Sequence, residues 1–128
     1  GHGGSQASLY LKENLQKKLK ETLEEICEEG LTEATIWNAL KITFEKLHLE
    51  FKEPESGSTA TVAMILQGKL WTANVGDSRT IFVKAENGNF FQLSEDAKPN
   101  DSYYQKGMEK RGCKVLLGRV NLNLAVAR

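Results

Sequence analysis

The chain has 128 residues, 40% of them apolar and 27% charged, with 17 basic side chains balanced by 17 acidic ones. That length fits one domain and suffices to bury a core without disulfides or structural metal, which argues against intrinsic disorder. Zero formal net charge removes the usual basis for binding nucleic acid or an anionic membrane surface, and no apolar run approaches the ~20 residues that cross a bilayer.

The first half is helical by period. Leu11, Leu15, Leu19, Leu23 and Ile26 recur every three or four residues between charged ones, which predicts a helix from about Ser5 to Glu28, with Gly30 suited to its C-cap. Thr32 is the expected N-cap of a second helix with the apolar face Ile36, Trp37, Leu40, Phe44, Leu47 and Phe51, ended by Pro54 at the latest. From Thr59 to Leu66 the side chains are nearly all β-branched or apolar, as in a strand buried on both faces. A turn at Gln67-Gly68-Lys69 leads to a strand from Leu70 to Val75, which Gly76-Asp77 interrupts before a third run, Thr80 to Val83. Asn87-Gly88 tolerates the positive φ of a tight turn, so Phe90 to Leu93 is expected to complete an antiparallel meander. Asn100-Asp101-Ser102 offers N-cap chemistry for a short helix ending at Gly112, and Lys114 to Leu117 reads as a strand, with strand again beyond it. The architecture predicted is α+β, with helices covering a mostly antiparallel sheet.

Individually, the candidate functional motifs are weak. Gly1-His2-Gly3-Gly4 precedes a helix, whose free backbone donors can hold an anion, but it also fits a loose terminus. Ser56-Gly57-Ser58-Thr59-Ala60 lacks a nucleophile elbow and has no histidine at a fixed relation to it, so capping or close packing is the expected role. At Gly76-Asp77-Ser78-Arg79, Asp77 is either a carboxylate aimed from a sheet end toward a hard cation or the partner of Arg79 in an ion pair. Glu95-Asp96 reads as a solvated loop, and Lys110, Arg111 and Lys114 as a small basic cluster without interleaved aromatics. Cys27 and Cys113 show no metal spacing and read as free thiols of a reducing compartment, so a cytoplasmic location is expected; a disulfide between them is the alternative.

Taken in order, these motifs resemble the metal-dependent protein phosphatases of the protein phosphatase 2C (PPM) family. Gly1-His2-Gly3-Gly4 is similar to its Asp-Gly-His-Gly-Gly, two amphipathic helices follow, and Ser56-Gly57-Ser58-Thr59-Ala60 and Ala73-Asn74-Val75-Gly76-Asp77-Ser78-Arg79 match closely. Leu93-Ser94-Glu95-Asp96-Ala97-Lys98-Pro99 resembles its Leu-Ser-x-Asp-His-Lys-Pro, and residues 119–128 resemble the approach to its Arg-Ala-x-Gly-Asp. The resemblance covers essentially the whole chain as a single incomplete domain, and implies part of a four-layer sandwich, two antiparallel sheets packed face to face with helices outside. It implies two Mn or Mg ions in the intact domain, a metal-bridging water attacking phosphoserine or phosphothreonine, and a phosphorylated protein as substrate. By position, Gly1 would give a backbone carbonyl to a metal, Asp77 would serve an additional metal position, and His2 would be the general acid. Arg79, Asp96 and Lys98 would hold the loops.

The metal-bridging Asp before Gly1 and the later metal-binding Asp residues lie outside these 128 residues, so this piece is expected to be inactive alone and not to hold the two cations. Missing strands at both ends predict self-association or strand exchange as a dimer. Ala97 in place of the family's His, Cys113 in its Gly-Gly pair and Leu122 at a usual Gly motivate the alternative of a catalytically dead scaffold or binding module.

Overall fold

The computed structural model describes residues 2–26 and 30–121, and the chain divides into two compact units, Gly1–Ser58 and Thr59–Arg128. The described residues are α+β: three helices and three antiparallel strand pairs.

The first unit is a helical pair, α1 (Gln6–Ile26) and α2 (Glu33–Glu50). Thr32 caps α2 as expected. Its Oγ1 accepts from the Thr35 N–H at 3.2 Å, and its own N–H donates to Thr35 Oγ1 at 2.8 Å, a reciprocal box in which Thr takes the role usual for Glu. The helices run antiparallel. Tyr10 packs its ring 5.3 Å from that of Phe51, Lys18 Nζ lies 2.9 Å from Glu50 Oε1, and Lys46 Nζ lies 2.6 Å from Glu25 Oε2. Buried side chains are Ala7, Leu19 and Thr22 from α1 and Ile36, Ala39, Leu40, Thr43 and Leu47 from α2. Trp37, expected on the apolar face, is 61% exposed. It lies about 100° around the helix from Ile36, and the buried stripe runs through Ala39 and Thr43 instead. Thr43 satisfies its hydroxyl by donating to the Ala39 carbonyl at 2.7 Å, so a polar residue of small volume serves the core. Cys27 and the end predicted for α1 at Glu28 lie outside the described residues.

In the second unit, β1 (Ala60–Leu66) pairs with β2 (Lys69–Val75), β3 (Ile81–Val83) with β4 (Phe90–Gln92), and β5 (Val115–Leu116) with β6 (Arg119–Val120); α3 (Ser102–Lys110) lies between β4 and β5. The expected meander is absent among the described residues. Gly76 takes φ +93° and the chain bends after it, so β2 and β3 belong to separate pairs. The β1 strand is not buried on both faces: burial alternates, with Val62, Met64 and Leu66 half-buried and Ile65 81% exposed. Its apolar run hid a period of two because Ala63 and Ile65 occupy the outer face. Gln67 and Gly68 both have positive φ (52° and 71°), as do Leu117 and Gly118 (52° and 70°), the geometry of two-residue turns matching strand twist.

Asp101 caps α3, its Oδ1 accepting from the Tyr103 N–H at 2.9 Å. One face of that helix places Met108 in a buried cluster with Ala97 and Val120, onto which Tyr104, Cys113 and Val115 pack. Cys113 is a half-buried free thiol.

Candidate functional site

In the first unit the site is built where the chain returns to its own beginning. His2 and Gly57 form an antiparallel bridge: the His2 N–H donates to the Gly57 carbonyl and the Gly57 N–H to the His2 carbonyl, each at 3.0 Å. His2 is therefore held in place and is no loose terminus. Two glycines make the fit possible. Gly3 adopts φ +65°, and a Cβ there would fall 1.6 Å from the Glu55 carbonyl oxygen. A Cβ on Gly57 would sit 2.2 Å from Cε1 of the His2 ring, so the imidazole lies against bare backbone. Ser56, buried between them in sequence, accepts at Oγ from the Ala7 N–H at 3.1 Å, satisfying one orphan donor of the first turn of α1. Capping is thus the role of Ser56. His2 is exposed. Gly1 lies outside the described residues.

In the second unit, Asp77 stands in the bend after β2, half-buried. The two readings of its carboxylate are resolved against the ion pair: Arg79 binds Asp96, with Nε to Oδ1 at 3.0 Å and Nη2 to Oδ2 at 2.6 Å. Lys98 Nζ adds a contact to Asp96 Oδ2 at 3.5 Å. The fork geometry of guanidinium on carboxylate fixes both partners, and the Arg79 guanidinium holds the Asp96 carboxyl below the usual carboxylate range. With its side chain only 14% exposed, Asp96 is not part of a solvated loop. Arg79, Asp96 and Lys98 hold the loops together, as the resemblance implied.

Further hydrogen bonds tie the 93–97 segment to β2 and its bend. The Ala97 N–H donates to the Gly76 carbonyl at 3.0 Å, and Asn74 Nδ2 donates to the carbonyls of Gly76 (3.0 Å) and Glu95 (3.2 Å). Ser94 Oγ accepts from the Thr80 N–H at 2.8 Å, and the hydroxyls of Thr59 and Ser78 share a 2.7 Å hydrogen bond. Gly76 is buried, and a Cβ there would lie 2.6 Å from Thr59 Cγ2. The Asp77 backbone is thus framed on several sides, while among the described residues no ion pair engages its carboxylate. The reading from the residues alone sought the partner of Arg79 in Asp77, two positions away; the resemblance grouped Arg79 with Asp96, and the structure pairs them across 17 residues. The signal lay in the Asp96-Ala97-Lys98 motif, whose carboxylate and cation converge.

As a metal centre the described residues are incomplete. Among them no three His, Cys, Asp or Glu side chains converge, and a hard divalent cation needs several oxygens. Asp77 offers one carboxylate, which does not by itself fit a pair of cations.

Comparison with known proteins agrees with the ordered motifs. The family model described as Protein phosphatase 2C matches residues 1–128. The chain is 40% identical over 137 residues to rice (Oryza sativa subsp. japonica) "Probable protein phosphatase 2C member 13, mitochondrial", covering all of this chain and 35% of that protein. It is 40% identical over 118 residues to "Probable protein phosphatase 2C 76" of Arabidopsis thaliana, covering 88% of this chain and 26% of that one. "Protein phosphatase 2C homolog 2" of Aspergillus fumigatus is 35% identical over 134 residues, with 100% and 29% covered. The chain belongs to the protein phosphatase 2C family. It spans about a quarter to a third of the length of these relatives. No helix among the described residues is long and apolar enough to cross a membrane.

Proposed function

We propose that these 128 residues are an incomplete phosphatase 2C domain, one part of a protein that hydrolyses phosphoserine and phosphothreonine in protein substrates with Mn or Mg. The observation that carries this reading is the family match along the whole chain, with the motif residues held in ordered geometry. When bound, the cations would lower the pKa of a water and neutralise developing charge on the phosphoryl group. In this reading Gly1 would offer one metal a backbone carbonyl and Asp77 would serve an additional metal position, with the other oxygens coming from outside these residues. His2 acts as general acid toward the leaving alkoxide; its bridge to Gly57 fixes where the imidazole stands, and its exposure leaves the ring able to reach a substrate oxygen.

The isolated chain is inactive in this reading. The half-buried thiol of Cys113 is compatible with a reducing compartment, and we place the protein in the cytoplasm. The β3–β4 hairpin exposes Ile81, Phe82, Val83, Phe90 and Phe91, which favours self-association of the isolated chain. Light scattering that finds monomer at every concentration refutes that last point.

The test of function is Mn- and Mg-dependent phosphate release from an aryl phosphate and a phosphoserine peptide, by this chain and by a longer protein extended at both ends. Turnover in the longer protein alone is the expected result. Absence of turnover in both, from folded protein, overturns the phosphatase reading in favour of a scaffold. The core position of Ala97, in place of the family's His, fits that second reading.

A further inference from the structure

Along α3, from the edge of the Met108 cluster, where Tyr104 packs, round to the solvent side, Tyr103, Tyr104, Lys106, Gly107, Lys110 and Arg111 line an open surface depression of about 630 Å³. The basic cluster read from sequence therefore has aromatic neighbours after all. The Tyr103 and Tyr104 rings meet edge to face with centroids 5.3 Å apart, and Tyr103 is 79% exposed. Of the described residues that line the depression, Lys106, Lys110 and Arg111 are basic and none is acidic, while Lys98 is held by Asp96. Asp101 accepts from the Tyr103 N–H and Glu109 from Gln105 Nε2 at 2.8 Å, and among the described residues no ion pair joins either carboxylate to Lys106 or Lys110.

Two features of this face work against the helix that carries it. Lys106 and Lys110 stand at i and i+4, where like charges repel, and Gly107 in the helix interior costs about 1 kcal/mol relative to Ala. The Arg111 guanidinium folds back along Gly107, with Nη1 3.6 Å from where a Cβ on that residue would be. The helix's negative C-terminal end accounts for Lys110 and Arg111 but for neither Lys106 nor Gly107. Local departures from helix optimum that gather on one solvent-facing depression mark a functional surface.

We propose that this face of α3 docks an acidic peptide segment of the phosphorylated protein substrate, outside the reacting phosphate. The inference rests on the phosphatase reading for the identity of the partner. A single depression with a few cations suits a short acidic stretch, whereas nucleic acid needs a basic stripe that follows a long polyanion. The tyrosine pair adds apolar contact area and hydroxyl donors beside the charges.

The test is fluorescence anisotropy of the 128-residue chain with two labelled phosphoserine peptides, one flanked by Asp and Glu and one by Asn and Gln, at low and physiological salt. The acidic peptide is expected to bind tighter by about tenfold or more, and Lys106→Glu with Lys110→Glu to remove that advantage. Lys12→Glu with Lys20→Glu, the same charge change at exposed positions of α1, is expected to leave binding within about twofold. Equal binding of the two peptides, equal loss in both double variants, or tighter binding of single-stranded RNA or phosphatidylserine vesicles to the same face overturns the proposal. Peptide binding is read without turnover, so an inactive longer protein counts against the phosphatase reading alone, and a variant-insensitive peptide signal counts against this one alone.

Discussion

Replacing Ser56 by Ala tests whether the beginning of α1 depends on a cap supplied from 49 residues away. In the structure the Ser56 Oγ is the acceptor for the Ala7 N–H at 3.1 Å, in a buried setting. The first turn of α1 holds no acidic side chain, so no nearby carboxylate can take over the orphan donors. Loss of a capping hydroxyl costs about 1 kcal/mol, and leaving a buried donor unpaired raises this to about 2 kcal/mol. With a urea dependence of about 2 kcal/mol per molar, the unfolding midpoint should fall by roughly 0.5–1 M. Amide exchange supplies the local readout, because the Ala7 N–H should lose protection before the middle of α1 does. Ser8→Ala is the control: Ser8 is exposed and donates only to the Ser5 carbonyl, so its midpoint should move by less than about 0.25 M. An unchanged midpoint and unchanged Ala7 exchange in Ser56→Ala would refute the capping argument.

Acid should weaken the tie between Arg79 and Asp96. The Asp96 carboxyl is held below its ordinary value, so its contribution to stability is fully present above the unfolded value of about 3.9 and is lost as pH falls through the lower folded value. Urea midpoints of the parent protein and Asp96→Asn should therefore differ at neutral pH and converge below about pH 4; a gap that widens in acid contradicts the pairing. Gly76→Ala should destabilise by about 1 kcal/mol or more, since φ is +93° and the new Cβ would meet Thr59 Cγ2. Thr59→Ser should recover part of that cost in the double variant by removing the methyl, and purely additive losses in the cycle would show that the clash is not the cause. Leu117, 89% exposed at φ 52°, should gain about 0.5–1 kcal/mol as Leu117→Asn, and a fall in thermal midpoint would exclude the turn geometry assigned to it.

Element identity was readable wherever local chemistry repeats. The Thr32 cap, the Gln67-Gly68 turn and the Asp101 cap follow from residues within a few positions of one another, and the structure places each accordingly. Pairing across distance was not readable in the same way. Whether Gly76 continues a sheet or ends it depends on Thr59 and Ala97, residues far away in sequence, and so the meander dissolved into separate hairpins. Trp37 shows the same limit on a helix: an apolar period cannot tell which of two adjacent large residues faces the neighbour when Ala39 and Thr43 let the helices approach closely. The family was legible as an ordered set of motifs. The bond from Arg79 to Asp96 required the fold to bring two loops together.

The bridge between His2 and Gly57 also has a kinetic meaning. It closes a loop that contains both helices, and for flexible chain the entropy of joining ends at the 49-residue spacing of Ala7 and Ser56 is about 3 kcal/mol. Two backbone hydrogen bonds and one cap can offset that only after α1 and α2 have docked and shortened the span. The histidine should therefore be positioned late in folding and released early in unfolding. The placement of its ring would then report on the integrity of the whole helical pair, so that loosening the helices anywhere along their length would be felt first at the imidazole.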